Sequence, residues 1–104
     1  MSGFSLHPEA YSDIDEIRDH LADQNPNAAD RVVTEIVDTI RSLVPFPNQC
    51  FRRPNLTSRP LRFQLIREYV IAYAPDKVSL WVVAVFHGRR SPLVMAAILR
   101  GREE

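Results

Sequence analysis

The side chains best suited to chemistry in this 104-residue sequence are concentrated in its second half. Seven arginines form the largest set: Arg52, Arg53, Arg59, Arg62, Arg67, Arg89 and Arg90. Tyr69, Tyr73 and His87 lie among them, and we expect adjacent strands to bring members of both sets together. Such a patch could bind phosphate groups by charge and stack bases on its aromatic rings. It could also cleave RNA without a metal, because tyrosine or histidine can transfer protons while arginine stabilises the charged phosphorane.

The same residues also allow a structural interpretation. Tyrosines such as Tyr69 and Tyr73 are favoured in strands, where they are commonly half-buried. A histidine at the end of a strand, such as His87, is commonly held by a hydrogen bond to the backbone. Both interpretations stay open from the sequence.

Other groups of potentially reactive residues are too incomplete to predict a metal, nucleophile or phosphate-binding site. Four carboxylates lie on the predicted polar face of the first helix: Asp13, Asp15, Glu16 and Asp19. Scattered histidines and one cysteine cannot complete a zinc site: His7, His20, His87 and Cys50. Nothing local supports a Cys50–His87 nucleophile pair, and the three glycines form no phosphate-binding loop. We therefore expect neither a metal nor a cofactor.

The net charge of zero hides a strong asymmetry. Residues 1–44 contain three arginines and nine acidic residues, which gives a net charge of −6. Residues 45–104 contain nine arginines, one lysine and four acidic residues, which gives a net charge of +6. The molecule should therefore have an acidic and a basic face. The sequence has no signal-peptide pattern, no membrane-length apolar run and a single cysteine, so we expect a cytoplasmic protein without a membrane partner.

Two amphipathic helices are predicted in the acidic half. Apolar residues repeat at spacings of three and four over about 9–23 and again over 26–43. Asn25-Pro26 favours the start of the second helix and leaves a link short enough for an antiparallel hairpin. Half of the eight prolines follow within residues 45–60, which predicts a loop.

The basic half predicts strands. Residues 61–66, 69–73 and 78–86 are β-rich and are separated by the short links Arg67-Glu68 and 74–77, so they should form an antiparallel meander whose last strand is central. A weak strand is predicted over Phe4–His7 and a helical apolar segment over Pro92–Leu99, followed by a polar tail. We thus predict one α+β domain over residues 1–104. Its order is β-α-α-β-β-β, with a helical hairpin on one face of an antiparallel sheet and a C-terminal apolar segment.

Three sequence blocks, in this order, carry a family resemblance that covers residues 4–90. They are NPNAADR (25–31), LRFQLIREYVIAY (61–73) and the strand ending His87-Gly-Arg-Arg. Together they resemble the RelE/ParE superfamily, the toxins of type II toxin–antitoxin modules, also called plasmid stabilisation proteins. The long hairpin, the Pro/Arg-containing loop and the HG-x-R ending resemble the ParE branch more closely.

The resemblance implies two alternative activities. ParE-like toxins poison DNA gyrase and block replication, whereas RelE-like toxins cleave mRNA in the ribosome with several lysines and arginines and a C-terminal tyrosine. This chain has one lysine and no aromatic residue after Phe86, which favours the ParE activity and a non-enzymatic mechanism. A degenerate, non-toxic module component is a third interpretation.

The resemblance also implies partners and sites. The target would be gyrase, or alternatively the ribosome and mRNA, and the target-binding residues would be Arg52, Arg53, Arg62, Arg89 and Arg90. For the nuclease alternative, the catalytic candidates are Arg62, Tyr73, His87 and Arg90. A cognate antitoxin, with a DNA-binding N-terminus and an acidic amphipathic C-terminal segment, would form a hetero-oligomer with the chain.

Strict alternation along the last strand would place Trp81, Val83 and Val85 on the face opposite the hairpin. The C-terminal apolar segment or a bound antitoxin should cover that face, since burial of large apolar side chains is favourable. The predicted antitoxin-binding residues are accordingly Trp81, Val83, Val85, Leu93 and Ile98.

Overall fold

The order of elements in the computed structural model, which describes residues 3–75 and 79–102, is β-α-α-β-β-β-α. The elements are β1 (Phe4–Leu6), α1 (Pro8–Ala22), α2 (Pro26–Leu43), β2 (Arg62–Ile66), β3 (Tyr69–Ala74), β4 (Leu80–His87) and α3 (Pro92–Arg100). This order confirms the predicted α+β class. Part of the predicted turn, Asp76 and Lys77, and the predicted first residue of the last strand, Val78, lie outside the described residues.

Local signals fix where each helix begins. A proline occupies the first turn of all three helices, where its missing N–H is not needed. The side chain of the preceding residue accepts a hydrogen bond from the first turn: His7 from Glu9, Asn25 from Asn27 and Ala28, and Ser91 from Val94. These caps explain why the sequence located the helix starts within about one residue.

The four strands form one sheet in the order β1-β4-β3-β2. β2, β3 and β4 are the predicted antiparallel meander. β1 pairs with β4 in parallel, so the sheet as a whole is mixed rather than antiparallel. β4 is central over Trp81 and Val82, where it has a neighbour on each side.

A β-bulge in β4 changes which side chains share a face. Ala72 pairs with Ala84 and Tyr73 with Val82, which leaves Val83 without a partner of its own. Since an extra residue reverses the alternation, Val85 lies on the hairpin face, whereas Val83 and Ala84 both lie on the other face. The prediction that Val83 and Val85 share a face is therefore wrong.

Each face of the sheet has its own apolar core. On the hairpin face, Ile36 and Ile40 of α2 pack with Ile71 and Val82. On the opposite face, the covering residues come from α3 and from the loop before β2: Met95, Leu99, Leu56 and Leu61. The prediction that the C-terminal apolar segment covers this face is confirmed, with a contribution from the loop that was not foreseen.

A buried ion pair joins the two layers at the edge of β4 beyond the end of β1. Arg102 donates two hydrogen bonds to the carboxylate of Asp13 and a third to the carbonyl of Val83, at 3.2 Å. Asp13 Oδ2 also accepts the N–H of Val85 at 3.0 Å. We call Asp13 and Arg102 the edge clasp, because their side chains form hydrogen bonds with the backbone of β4 where a neighbouring strand is absent. The sequence had placed Asp13 on a polar face and Arg102 in a polar tail, but only 15% and 11% of these side chains are exposed.

The predicted Arg67-Glu68 link is a two-residue turn between β2 and β3, with Arg67 at φ 53°. Arg67 donates two hydrogen bonds of 2.7 Å to Glu35 on α2. These bonds lower the pKa of Glu35 and fasten the hairpin to the end of the sheet. Within the described ranges, no helix has the length and apolar character needed to cross a membrane.

Candidate functional site

The loop of residues 45–60, which we call the arginine loop, wraps around the outer edge of β2. Its first part reaches the hairpin-side core through Cys50, and its last part reaches the opposite core through Leu56. At the edge itself, the N–H of Phe63 donates to the carbonyl of Phe51 at 3.1 Å in a single antiparallel bridge. The loop therefore follows a defined path along the sheet edge.

Three side chains from the sheet form hydrogen bonds with the arginine loop. The hydroxyl of Tyr73 donates to the carbonyl of Pro47 at 2.8 Å, and the guanidinium of Arg62 donates to the carbonyl of Cys50. The thiol of Cys50 donates to Gln64 Oε1 at 2.9 Å. The roles of Tyr73 and Arg62 are thus to satisfy loop carbonyls that would otherwise lose their hydrogen bonds to water.

Tyr73 is fully buried, which makes it a poor proton-transfer group. Burial, followed by the neighbouring Cys50 thiol, raises the pKa of Tyr73 well above its ordinary value. Burial also raises the pKa of Tyr69, and the neighbouring charge of Glu68 raises it further. Near neutral pH, both phenols therefore stay protonated, and the structural interpretation of these tyrosines is the one that the geometry favours.

Replacing Tyr73 with Phe should change how stability depends on alkaline pH. The folded-state pKa lies above the unfolded value of about 10, so the contribution of Tyr73 is complete below pH 10 and is lost as pH rises further, by up to about 1.4 kcal/mol per pH unit. In Tyr73→Phe this loss should disappear, while stability near pH 7 falls by about 1–2 kcal/mol because the Pro47 carbonyl loses its donor. Urea titrations between pH 7 and 11.5 measure both effects. Tyr11→Phe, at an exposed site on α1, is the control, and equal alkaline slopes in all three proteins would contradict the assignment.

His87 joins the end of β4 to the β2–β3 turn. Its Nδ1 accepts the N–H of Arg89 at 3.0 Å, so in the neutral ring Nε2 carries the proton and donates it to Glu68 at 3.0 Å. The ring also packs edge-to-face on Tyr69, with centroids 5.5 Å apart. The N–H of Gly88 donates to the carbonyl of Glu68 at 2.7 Å, and a Cβ at Gly88 would lie 3.3 Å from that oxygen. The close approach of the two turns therefore explains the glycine at position 88.

A cleft of about 240 Å³ lies between α1 and the end of β4. Its polar lining combines Asp13, Glu16 and His20 of α1 with His87 and Arg90 from the end of the sheet. The cleft therefore contains carboxylates, imidazoles and one guanidinium. Of the seven arginines named above, Arg90 is the one that lines it.

The predicted single neighbourhood of catalytic candidates does not form. Arg62 pairs with Tyr73, which pairs with Val82, whereas His87 pairs with Tyr69 at the other end of β3. The four steps along β3 from Tyr73 to Tyr69 correspond to about 13 Å. Arg62 and Tyr73 therefore lie at one end of the sheet, and His87 and Arg90 lie at the other.

The arginines divide into structural and exposed groups. Arg59 donates to the carbonyls of Leu99 and Arg102 at 3.0 Å, which closes the C-terminal end of α3. Together with Arg62 and Arg67, it is engaged within the protein. The exposed arginines of the predicted target-binding set are Arg52, Arg89 and Arg90, and Arg53 is half-buried.

The predicted antitoxin-binding residues have very different exposures. Val83 and Val85 are buried, Val83 beneath α3 and Val85 beneath the hairpin, so a partner cannot reach them in this fold. Trp81 and Ile98 are half-buried, and Trp81 packs edge-to-face on His7. Leu93, on α3, is 83% exposed. Of the five residues, Leu93 is the one that offers most of its surface.

A second groove, of about 410 Å³, was not predicted from the sequence. It runs along the edge of β2 and is lined by Gln49, Cys50, Phe51, Arg53, Phe63, Gln64 and Leu65. The Arg53 guanidinium lies over the ring of Phe63, 5.7 Å from its centroid. We call this feature the edge groove. The signal for it in the sequence was the pairing of Phe51 with two arginines in a loop that contains no acidic residue.

No set of three or more histidine, cysteine or acidic side chains is placed to hold a metal ion within residues 3–75 and 79–102.

The model of one protein family, the ParE toxin of type II toxin-antitoxin system, parDE, matches residues 4–92. No curated protein matches the chain. The family match spans both helices of the hairpin, the whole sheet and the edge groove.

Proposed function

Since the chain belongs to the ParE toxin family of type II toxin–antitoxin systems, we propose that it inhibits DNA gyrase and thereby blocks replication. A cognate antitoxin binds and neutralises it. In such a module the pair meets in the cytoplasm and serves plasmid stabilisation. The alternative is a RelE-like endoribonuclease that cleaves mRNA on the ribosome.

The separation of the catalytic candidates is the observation that favours gyrase inhibition by binding over RNA cleavage. Metal-free cleavage needs an acid, a base and a cation within hydrogen-bond reach of one phosphate. Here Tyr73 donates its proton to Pro47, and Arg62 is bound to Cys50 at one end of the sheet. His87 is bound to Glu68 at the other end. A binding mechanism requires only a complementary surface with aromatic and arginine anchors.

The outward side of α3 supports the proposal of an antitoxin site. Leu93 and Val94 are exposed there, between Arg90 before the helix and the exposed Arg100 at its end. An acidic amphipathic segment can place apolar side chains on Leu93 and Val94 and carboxylates beside the two arginines. Trp81 and Ile98 are half-buried residues that pack against the core beneath α3. The DNA-binding N-terminus of the antitoxin would remain outside the contact.

We expect the purified chain to inhibit supercoiling of relaxed plasmid by gyrase, or to trap the cleaved complex, and to leave mRNA intact in a translating extract. Relaxation of the same plasmid by a type I topoisomerase is the control and should be unaffected. Codon-specific mRNA cuts that vanish in His87→Ala, with gyrase fully active, would instead establish the endoribonuclease.

A further inference from the structure

The edge groove exists because the arginine loop leaves β2 after one bridge. Phe51 lies opposite Phe63, so an antiparallel ladder would place Cys50 opposite Gln64 and Gln49 opposite Leu65. No such ladder continues in the described structure, and Gln64 Nε2 instead donates to the carbonyl of Leu65 at 2.7 Å. The two segments therefore diverge and enclose a groove rather than a strand edge, and the groove is suited to an inserted side chain.

The walls of the edge groove are apolar and accessible. Phe51 is 83% exposed and Leu65 is 58% exposed, with Phe63 buried between them at the base. Exposed apolar side chains that share one groove are typical of interaction sites, and burial of their surface by a partner is favourable. The volume of about 410 Å³ lies within the range of roughly 300–1,000 Å³ that is common for binding pockets.

The charge around the edge groove selects an acidic partner. Residues 45–60 contain Arg52, Arg53 and Arg59 and no aspartate or glutamate. The Arg53 guanidinium is already oriented by its contact with the Phe63 ring. Pairing with a carboxylate therefore costs little further side-chain conformational entropy. A carboxylate next to an apolar side chain is therefore the chemistry that fits.

The groove is held in shape before any partner arrives. The hydrogen bonds from Tyr73, Arg62 and Phe63 fix the loop carbonyls of Pro47, Cys50 and Phe51. Because a fixed loop has less conformational entropy to lose on binding, such a groove is suited to anchor a folded partner.

We propose that the edge groove anchors the target protein of this toxin: an apolar side chain of gyrase enters between Phe51 and Leu65, and a neighbouring carboxylate pairs with Arg53. This inference rests on the proposed function. A protein is favoured over a nucleic acid because the groove has apolar walls and a single lining arginine, whereas single-stranded nucleic acid is bound by cations that follow the backbone.

The test compares supercoiling inhibition and direct binding to the gyrase holoenzyme for the full chain and for Phe51→Ser, Leu65→Ser and Arg53→Ala. Each groove variant should raise both the concentration for half-inhibition and the dissociation constant at least about tenfold, as loss of a central anchor does. Tyr11→Ser and Arg18→Ala, exposed residues of α1, are the matched controls and should behave as the wild type. Circular dichroism and thermal melts establish that every variant is folded.

The outcomes separate the two proposals. Wild-type inhibition that is unchanged in all three groove variants overturns the anchor site and leaves gyrase inhibition standing. A wild-type chain that neither binds nor inhibits gyrase overturns both. Binding of the wild type to gyrase-free plasmid DNA that is lost in the groove variants overturns the protein anchor in favour of a nucleic-acid site.

Discussion

Replacing Asp13 with Ala should lower the free energy of unfolding by about 3–5 kcal/mol, because the buried guanidinium of Arg102 loses its hydrogen-bonded anion and keeps only the exposed Glu9, 3.9 Å away. The same change removes the acceptor of the Val85 N–H at the edge of β4. Since small domains are stable by only about 5–15 kcal/mol, the variant should be marginally folded at 37 °C. Urea denaturation followed by the fluorescence of the single tryptophan, Trp81, measures the change.

The control is Asp15→Ala on the same helix, at an exposed position, which should change stability by no more than about 0.5 kcal/mol. The double variant Asp13→Leu/Arg102→Met should be more stable than Asp13→Ala, because it removes both charges instead of stranding one. Equal losses for Asp13→Ala and Asp15→Ala would show that the edge clasp is not formed in solution.

Replacing Val85 with Asp should prevent stable folding, whereas Leu93→Asp should change the free energy of unfolding by no more than about 0.5 kcal/mol. Val85 is 2% exposed beneath the hairpin, and burial of an unpaired carboxylate costs several kcal/mol. Leu93 is 83% exposed on α3, so its carboxylate would stay in water. The readouts are soluble yield, circular dichroism and urea denaturation.

This pair of variants tests the burial of Val85, whose face is set by the bulge. Without the extra residue in β4, Val85 would lie on the same face as Trp81 and Val83. A stable Val85→Asp protein with native circular dichroism would contradict the burial of Val85 in the core beneath the hairpin. A conservative Val85→Ile variant, which keeps the site apolar, should fold.

Much of the fold was predictable because its signals are local. The spacing of Ile14, Ile36 and Ile40 within their helices defines the faces that are buried, and the cap at Asn25 defines where α2 begins. The turn at Arg67 joins two strands that are adjacent in the sequence, so their pairing depends only on neighbouring residues. The three sequence blocks of the RelE/ParE resemblance lie in these elements, and the family match confirms that resemblance.

The candidate site was predicted less well. The exposed Arg52 and the half-buried Arg53 lie where a partner can reach them, but Arg62 and Tyr73 are used to hold the arginine loop. From the sequence, an arginine that binds a loop carbonyl has the same appearance as one that binds a partner. The edge groove, formed by residues that are 10–16 positions apart in the chain, became visible only when Phe51 was placed beside Phe63 and Leu65.

The sequence by itself determined the elements, their order and the family, because helical periodicity, caps and turn residues act over a few positions. Only the tertiary structure decided the face of Val85 and the burial of Asp13 and Arg102. One inserted residue in β4 reverses an alternation that appears regular in the sequence. The edge clasp joins residues that are 89 positions apart, and their charges are buried because the packed layers meet at an open strand edge. Contacts between residues so far apart in the sequence depend on how the helices pack against the sheet, and no local sequence pattern specifies that packing.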